Sequence, residues 1–138
     1  MIILALMLMS VFIALSLLHF YWLFGGRIGL EAALPEVEGK AVFIPSAAAT
    51  LSVAILLGLC ALLIGMRAEL LAPLLQNSVS LWLTRALAVV LLLRAIGDFR
   101  YVGFFKRIRN GRFATMDTLI YAPLCLFLAL GIVGLEAL

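Results

Sequence analysis

The sequence predicts an all-α membrane protein in which four transmembrane helices form one compact antiparallel bundle. Hydrophobic residues make up 67% of the 138 residues and charged residues only 12%, whereas a soluble domain is roughly half apolar and a quarter charged. Four apolar segments also reach the roughly 20 residues needed to cross a hydrocarbon core. The excess apolar surface must therefore face lipid, and a single domain, 1–138, is sufficient. The predicted helices are 2–24, 46–66, 81–105 and 118–138.

Helix one, 2–24, is predicted to be retained rather than cleaved as a signal peptide. Its apolar run exceeds the roughly 7–15 residues of a signal core, no basic residue precedes it, and no small-x-small cleavage pattern follows it. Tyr21 and Trp22 near its end favour the lipid–water boundary. Gly25 and Gly26 then predict the end of the helix.

Loop one, 27–44, is too polar to span a membrane and is predicted to hold at most a short surface helix over 28–34. Helix two follows with Ser46 as a good N-cap candidate. A row of small residues at four-residue spacing predicts close packing against another helix. The row consists of Thr50, Ala54 and Gly58, with Ala61 and Gly65 nearby. The same row is also a candidate surface for a homo-oligomer.

Loop two, 67–80, is predicted to be a short external connection that contains Pro73, Gln76 and Asn77. Trp82 then marks the outer interface of helix three. Arg85 lies near enough to that end for its side chain to reach back to water.

Helix four, 118–138, is predicted to follow a turn at Asn110-Gly111. Thr115 or Asp117 is the expected cap of this helix. Pro123 lies within its second turn, where a kink or a loosened turn is expected because proline cannot donate a backbone hydrogen bond.

The distribution of basic residues predicts that both termini lie on the non-cytoplasmic side. Loops one and three carry seven Lys or Arg residues, and loop two carries one. The positive-inside rule therefore assigns loops one and three to the cytoplasm. The seven are Arg27, Lys40, Arg100, Lys106, Arg107, Arg109 and Arg112.

A layer of polar side chains near this cytoplasmic end is the predicted binding site. Arg94 lies in an otherwise apolar stretch, where a charge costs on the order of 2.5–3.5 kcal/mol. Asp98 is four residues away on the expected helix face, which predicts an ion pair, and Arg94 is also predicted to reach Asp117 or a lipid phosphate. The candidate residues are His19, Trp22, Arg94, Asp98, Arg100, Lys106, Asp117 and Tyr121. Two interpretations remain open: a structural clasp, or a cup for an anionic headgroup or a proton-linked solute.

Several function classes lack support in the sequence. The net charge of +3 reflects one local cluster, which is typical of a membrane boundary rather than of a nucleic-acid site. The spacing of Cys60, Cys125 and the one histidine predicts no metal site, and no cofactor is expected. No familiar catalytic motif occurs, which favours a non-enzymatic role, although Asp98 and Asp117 leave a carboxylate pair and an enzyme open.

Two blocks of residues resemble a known family. The first is His19–Trp22, followed by Gly25-Gly26 and 33–35; the second is 93–106, continuing through Phe113-Ala114, 117–118 and 123–126. Together they resemble the family known as domain of unknown function 3995 over essentially the whole chain. The resemblance implies a bacterial four-helix protein of the inner membrane and supplies no activity.

Three functions remain open from the sequence. The first is a bundle that binds an anionic lipid headgroup or small solute, with transport as one form of this role and membrane lipids as its partners. The second is a membrane-embedded enzyme that acts on a lipid or isoprenoid at the inner leaflet. The third is an accessory subunit that packs against a partner protein in a larger membrane complex.

Overall fold

The computed structural model describes residues 1–71 and 77–137. Its elements are the helices α1 (Ile2–Leu23) and α2 (Leu30–Ala33), the strands β1 (Glu36–Val37) and β2 (Lys40–Ala41), the helices α3 (Ala47–Arg67), α4 (Ser78–Ile96) and α5 (Arg112–Met116), a π-helical segment (Asp117–Tyr121), and α6 (Ala122–Ala137). Four stretches are long and apolar enough to cross a membrane, the fourth running through α5, the π segment and α6. The predicted all-α fold with four spans is confirmed.

The outer faces of the four spans are apolar and uncovered. Between 22% and 33% of the most apolar window of each span is buried inside the protein. Large apolar side chains therefore point away from the bundle, such as Ile3 at 76% exposed and Leu119 at 68%. A soluble protein rarely tolerates so much contiguous apolar surface, and lipid is the environment that such faces fit.

The bundle consists of two closely packed helix pairs, α1 with α3 and α4 with α6, with fewer contacts between the pairs. Each pair is consecutive among the long helices and antiparallel, as expected where neighbours in sequence pack together. One apolar core joins the two pairs. Its fully buried large members are Leu8, Phe12, Ile64, Leu128 and Ile132.

The small-residue row of α3 packs against α1 within the same chain. Ala54 is 0% exposed, and its carbonyl accepts a 2.7 Å hydrogen bond from the buried Ser16 hydroxyl. Oγ of Ser16 also lies 3.5 Å from where a Cβ on Gly58 would stand. The row therefore packs against α1 within the chain, as the prediction of close helix packing expects, and a homo-oligomer stays a prediction.

Replacing Ala54 with leucine is expected to destabilise the protein by about 1–3 kcal/mol, because the extra atoms have no space between α1 and α3. Unfolding by a denaturing detergent in mixed micelles measures this change. Ala48→Leu is the matched control, since Ala48 is exposed on the same helix. Equal stability of the two variants would contradict the packing described here.

The helix ends follow local capping chemistry. Ser46 caps α3 as predicted, its hydroxyl accepting from the backbone N–H of Ala49 at 3.1 Å. Helix α4 begins earlier than predicted, at Ser78, because Asn77 and Ser80 form a reciprocal capping box. Pro73 and Gln76 of the predicted external loop lie outside the described residues.

The end of α4 differs more strongly from the sequence prediction. The predicted helix 81–105 stops at Ile96, and Gly97 follows with φ +106°. A positive φ of this kind breaks a helix, and glycine adopts it without a Cβ penalty. The apolar residues beyond it belong to loop three, 97–111, which folds back so that Phe104 N–H bonds to Ala95 O and Phe105 N–H to Ile96 O.

The fourth span also begins earlier than predicted. Helix α5 starts at Arg112 after Gly111, so neither Thr115 nor Asp117 caps it. The predicted loosening near Pro123 takes the form of the π-helical segment. Because Pro123 has no N–H for the carbonyl four residues earlier, a wider turn before it accommodates the unpaired carbonyl and the ring.

Loop one and loop three lie at the same end of the bundle, which we call the basic end (residues 24–46 and 97–111). The predicted short helix of loop one is α2, and a tight hairpin of β1 and β2 follows it. The carboxylate of Glu36 on β1 accepts from the N–H of Arg112 at the start of α5. Loop one is thereby fixed against the fourth span.

A second group of charges lies at the opposite end. Arg85 Nε contacts Glu136 Oε2 at 3.2 Å, and the Arg85 guanidinium lies 5.6 Å from the centre of the Trp82 ring. Trp82 is 66% exposed. This arrangement agrees with the prediction that Trp82 and Arg85 mark the end of helix three.

Candidate functional site

Asp117 is the centre of the polar cluster at the basic end. It opens the π segment, is 0% exposed, and lies on the side of the fourth span that faces α4. Its Oδ1 accepts from Arg94 Nη2 at 2.8 Å, and its Oδ2 accepts from Lys106 Nζ at 3.0 Å and from the Gly103 N–H at 2.7 Å. One carboxylate therefore joins the last turn of α4, loop three and the fourth span.

Lys106 uses all of its hydrogen-bond donors within this cluster. It is 2% exposed, and an ammonium group has three hydrogens to donate. Nζ has three acceptors: Asp117 Oδ2, the Gly103 carbonyl at 3.0 Å and Thr118 Oγ1 at 2.6 Å. Every donor is thus used within the fold, and Lys106 acts as a clasp on loop three.

Arg94 lies closer to the end of its helix than the predicted helix 81–105 would place it. It lies two residues before the end of α4, in the last turn, where a cation is favoured by the helix dipole. Its side chain is 31% exposed. The predicted bridge to Asp117 is present. Nη1 is buried and makes no hydrogen bond within the described part of the chain, so the guanidinium retains an unused donor.

The predicted ion pair between Arg94 and Asp98 is wrong. The four-residue rule applies only within a helix, and the chain leaves the helix at Gly97. Asp98 Oδ1 instead accepts three backbone N–H groups, from Arg100, Tyr101 and Val102, at 2.8–3.0 Å.

The backbone donors change the acidity of Asp98. Slight burial raises the pKa of its carboxyl group, but the three N–H groups and the charge of Arg94 outweigh this and hold the pKa below its usual value. Because the folded-state pKa is depressed, Asp98 stabilises the turn above its unfolded pKa, and this contribution is lost as the pH falls through the lowered value. Asp98 is therefore a charged turn residue at neutral pH.

Gly97 and Gly103 allow loop three to fold back on α4. A Cβ on Gly97 would stand 1.8 Å from the Val102 carbonyl oxygen, and one on Gly103 would stand 2.3 Å from the Gly97 Cα. Both glycines have positive φ angles. The backbones thus approach as closely as only glycine permits, and this approach brings the Gly103 N–H to Asp117.

A cleft of about 410 Å³ opens on the outer side of loop three. It is lined by Asp98, Phe99, Arg100, Arg107 and Ile108. The Arg100 guanidinium lies 5.0 Å from the centre of the Tyr101 ring, which holds this cation on an aromatic face. Phe99 is 56% exposed beside the two arginines. The cleft therefore combines two cations with an apolar edge.

His19 and Trp22 lie in a separate cavity between α1, loop one and α3. This cavity has a volume of about 240 Å³ and is lined by His19, Trp22, Leu30, Ala33, Leu34, Phe43, Pro45, Ala49, Thr50 and Val53. The rings of His19 and Trp22 are 4.9 Å apart in an edge contact. Neither residue lines the cleft of loop three, so the single polar layer expected from the sequence is divided into two sites.

Tyr121 connects the two halves of the basic end. Its hydroxyl donates to the Ala32 carbonyl of α2 at 2.8 Å, and its ring packs on Phe113 at 5.9 Å. It therefore holds loop one against the fourth span.

Phe99 and Gly103 were not among the predicted site residues. The spacing of the glycines in the block 93–106 was the signal in the sequence that could have predicted the fold-back of loop three.

The described residues contain no group of three His, Cys, Asp or Glu side chains that could hold a metal ion. Both cysteines are free, Cys60 buried in the core and Cys125 partly buried on α6. They act as small apolar side chains in the bundle.

Comparison with known proteins gives one match. A family model described as protein of unknown function (DUF3995) matches residues 12–132, which include the second and third spans whole, most of the fourth, the second half of the first, and the lining of both cavities. No curated protein matches the chain. No solved structure matches it either. The chain therefore belongs to the DUF3995 family.

Proposed function

We propose that this DUF3995 protein binds the phosphate of an anionic lipid headgroup in the loop-three cleft, on the side that the positive-inside rule assigns to the cytoplasm. The observation that carries the proposal is the pairing of Arg100 and Arg107 with the exposed ring of Phe99 in one cleft. The phosphate of a lipid headgroup needs cationic hydrogen-bond donors on the water side, and the adjoining lipid chains need apolar contact on the membrane side. The volume of about 410 Å³ falls within the usual range of ligand sites.

The clasp beneath the cleft supports the proposal by holding loop three in place. Two cations, Arg94 and Lys106, share one carboxylate, Asp117, so one positive charge is left over. This charge adds to those of Arg100 and Arg107 on the same loop. The Asp98 carboxylate faces the cleft, but one of its oxygens is already bound by three backbone N–H groups. The net positive charge around the cleft therefore favours an anionic ligand.

The packing between the two ends favours binding over transport. The fully buried side chains of the core are mainly apolar, with Leu8, Phe12, Ile64, Leu128 and Ile132 filling the centre. A charged or polar solute would lose its hydration in passing them. A role at one membrane face fits this core better than a path through the bundle.

The bonding of the two carboxylates also gives little support to catalysis. Asp117 accepts three hydrogen bonds from groups that are themselves fixed in the clasp, and Asp98 accepts three from its own turn. A general base must be able to reach a substrate proton. Both carboxylates are better suited to structural roles, so binding remains our proposed activity.

The double variant Arg100→Gln, Arg107→Gln is expected to lower the affinity for anionic lipid about 30-fold. Each basic residue near a lipid surface contributes about 1 kcal/mol, so two contribute about 2 kcal/mol. Native mass spectrometry of protein from nanodiscs that contain phosphatidylglycerol and phosphatidylcholine measures the lipid that stays bound.

The matched control is Arg27→Gln, Lys40→Gln. It removes the same charge from exposed positions of loop one at the same end. A specific site predicts that the control loses less than threefold in bound phosphatidylglycerol. Equal losses in the two double variants would show a general surface potential and no site, and the proposal would then fail.

A further inference from the structure

The cavity between α1, loop one and α3 has the features of a second, independent binding site. Its lining is apolar apart from His19, Trp22 and Thr50, and it lies at the ends of two of the apolar spans, α1 and α3. Exposed apolar residues lie within two positions of its lining residues in the sequence, with Phe24 85% exposed, Ile28 79% and Ile44 86%. Such side chains suit insertion among lipid chains rather than contact with water.

The hydrogen bonds of the cavity leave acceptor atoms available: the Thr50 hydroxyl donates to the Ser46 carbonyl at 3.1 Å and can still accept, and the histidine offers a second acceptor. Nδ1 of His19 lies 2.8 Å from the Leu15 carbonyl oxygen, which can only accept, so Nδ1 must carry the hydrogen. In the neutral ring Nε2 is then an acceptor, and it makes no hydrogen bond to any described residue. The indole N–H of Trp22 is already used by the Ile28 carbonyl at 2.9 Å. A ligand must therefore offer a donor to His19.

The size of the cavity limits what it can enclose. About 240 Å³ is below the roughly 300–1,000 Å³ of sites that enclose whole drug-sized ligands. The space suits a small head and the first part of a chain. Val53 lines the cavity, and Leu56 on the next part of α3 is 59% exposed. A longer apolar chain can thus leave the cavity along the lipid-facing side of α3.

We propose that this cavity binds a long-chain lipid alcohol, whose hydroxyl donates to Nε2 of His19 while its chain runs past Val53 into the bilayer. The site is separate from the loop-three cleft and is formed by different residues. The two proposals can therefore fail independently.

Quenching of Trp22 fluorescence tests this site. The chain has two tryptophans, and Trp82 lies at the other end of the bundle, so the variant Trp82→Phe leaves Trp22 as the only reporter. The probes are a brominated long-chain alcohol, the corresponding brominated carboxylic acid and a brominated hydrocarbon of equal length. We expect saturable quenching by the alcohol, with half-saturation at a mole fraction at least tenfold lower than for the hydrocarbon.

Two substitutions in the Trp82→Phe background separate the site from partitioning into lipid. His19→Phe removes the acceptor and is expected to weaken the alcohol about tenfold, to the level of the hydrocarbon. Ala49→Leu fills the cavity without touching the histidine and is expected to abolish saturation. Ala48→Leu is the matched control, because the adjacent Ala48 does not line the cavity.

The outcomes that overturn the proposal are equally definite. Non-saturating quenching of the same strength by alcohol and hydrocarbon would mean that the probes only partition into lipid. Tighter binding of the acid than of the alcohol would overturn the assignment of a hydroxyl donor. Equal behaviour of Ala49→Leu and Ala48→Leu would show that the cavity is not the place where the probe binds, even if His19→Phe failed to fold.

Discussion

Replacing Asp117 with asparagine is expected to destabilise the protein by about 3–5 kcal/mol, because it leaves the buried Lys106 and the partly buried Arg94 without their shared counter-ion. Lys106 is 2% exposed and donates to Asp117. Arg94 makes its ion pair with the same carboxylate. The asparagine side chain has nearly the same volume, so the loss reports on charge and hydrogen bonding rather than on packing.

Unfolding by a denaturing detergent in mixed micelles, followed by far-ultraviolet circular dichroism, measures this loss. Glu31→Gln is the matched control, since it neutralises an exposed acid on α2 at the same end of the bundle. We expect the control to stay within about 0.5 kcal/mol of the parent protein, as surface substitutions usually do. An Asp117→Asn variant as stable as the control would contradict the clasp.

The four spans were predictable because hydropathy and length depend on composition alone. A run of about 20 apolar residues can satisfy its backbone in lipid only as a helix or a closed barrel, so the fold class followed from segments such as 46–66. The cap at Ser46 was equally local, since one hydroxyl and three residues of spacing are enough to form it. The bridge from Arg94 to Asp117 followed from topology, which places both residues at the same end.

The end of α4 was not predicted, because large apolar residues continue after Gly97 at Phe99, Val102 and Phe104 among the charged ones. What stops the helix is the fold-back of loop three, whose contacts span residues 95–105 and depend on two glycines facing each other. The pairing of Arg94 with Asp98 failed for the same reason. A helix-based spacing rule was applied to a residue that lies outside the helix.

The division of the polar layer also depended on packing that the sequence does not encode locally. His19, Arg94 and Asp117 share a similar depth in a topological drawing. The choice of helix pairs, α1 with α3 and α4 with α6, then puts them in different places. The two resulting cavities have different chemistry, one lined by two arginines and one lined mainly by apolar side chains beside His19. The position of a residue along its helix predicts how deep it lies in the membrane. The pairing of the helices decides which of the residues at one depth come into contact.

Replacing Gly97 with alanine is expected to open loop three and to cost about 3 kcal/mol or more. The new Cβ would stand 1.8 Å from the Val102 carbonyl oxygen and 2.7 Å from the Gly103 Cα, both backbone atoms that cannot rotate away. The backbone at Gly97 and the backbone at Val102–Gly103 would have to move apart. The Gly103 N–H would then lose Asp117, and the Phe104 N–H would lose the Ala95 carbonyl. Strain at a positive φ, overpacking and lost hydrogen bonds act in the same direction.

The variant Gly25→Ala distinguishes the cost of backbone strain from the cost of the steric clash between the new Cβ and the backbone of loop three. Gly25 has φ +97°, close to the +106° of Gly97, but nothing lies within 4 Å of its Cβ position. Its cost is therefore expected to be about 1–2 kcal/mol, the strain of a left-handed residue alone. Hydrogen exchange of the Gly103 and Phe104 amides gives the second readout, because both amides are hydrogen-bonded only while loop three is closed. Faster exchange in Gly97→Ala but not in Gly25→Ala is the expected result, and equal exchange in the two variants would mean that the glycine contact does not hold the loop.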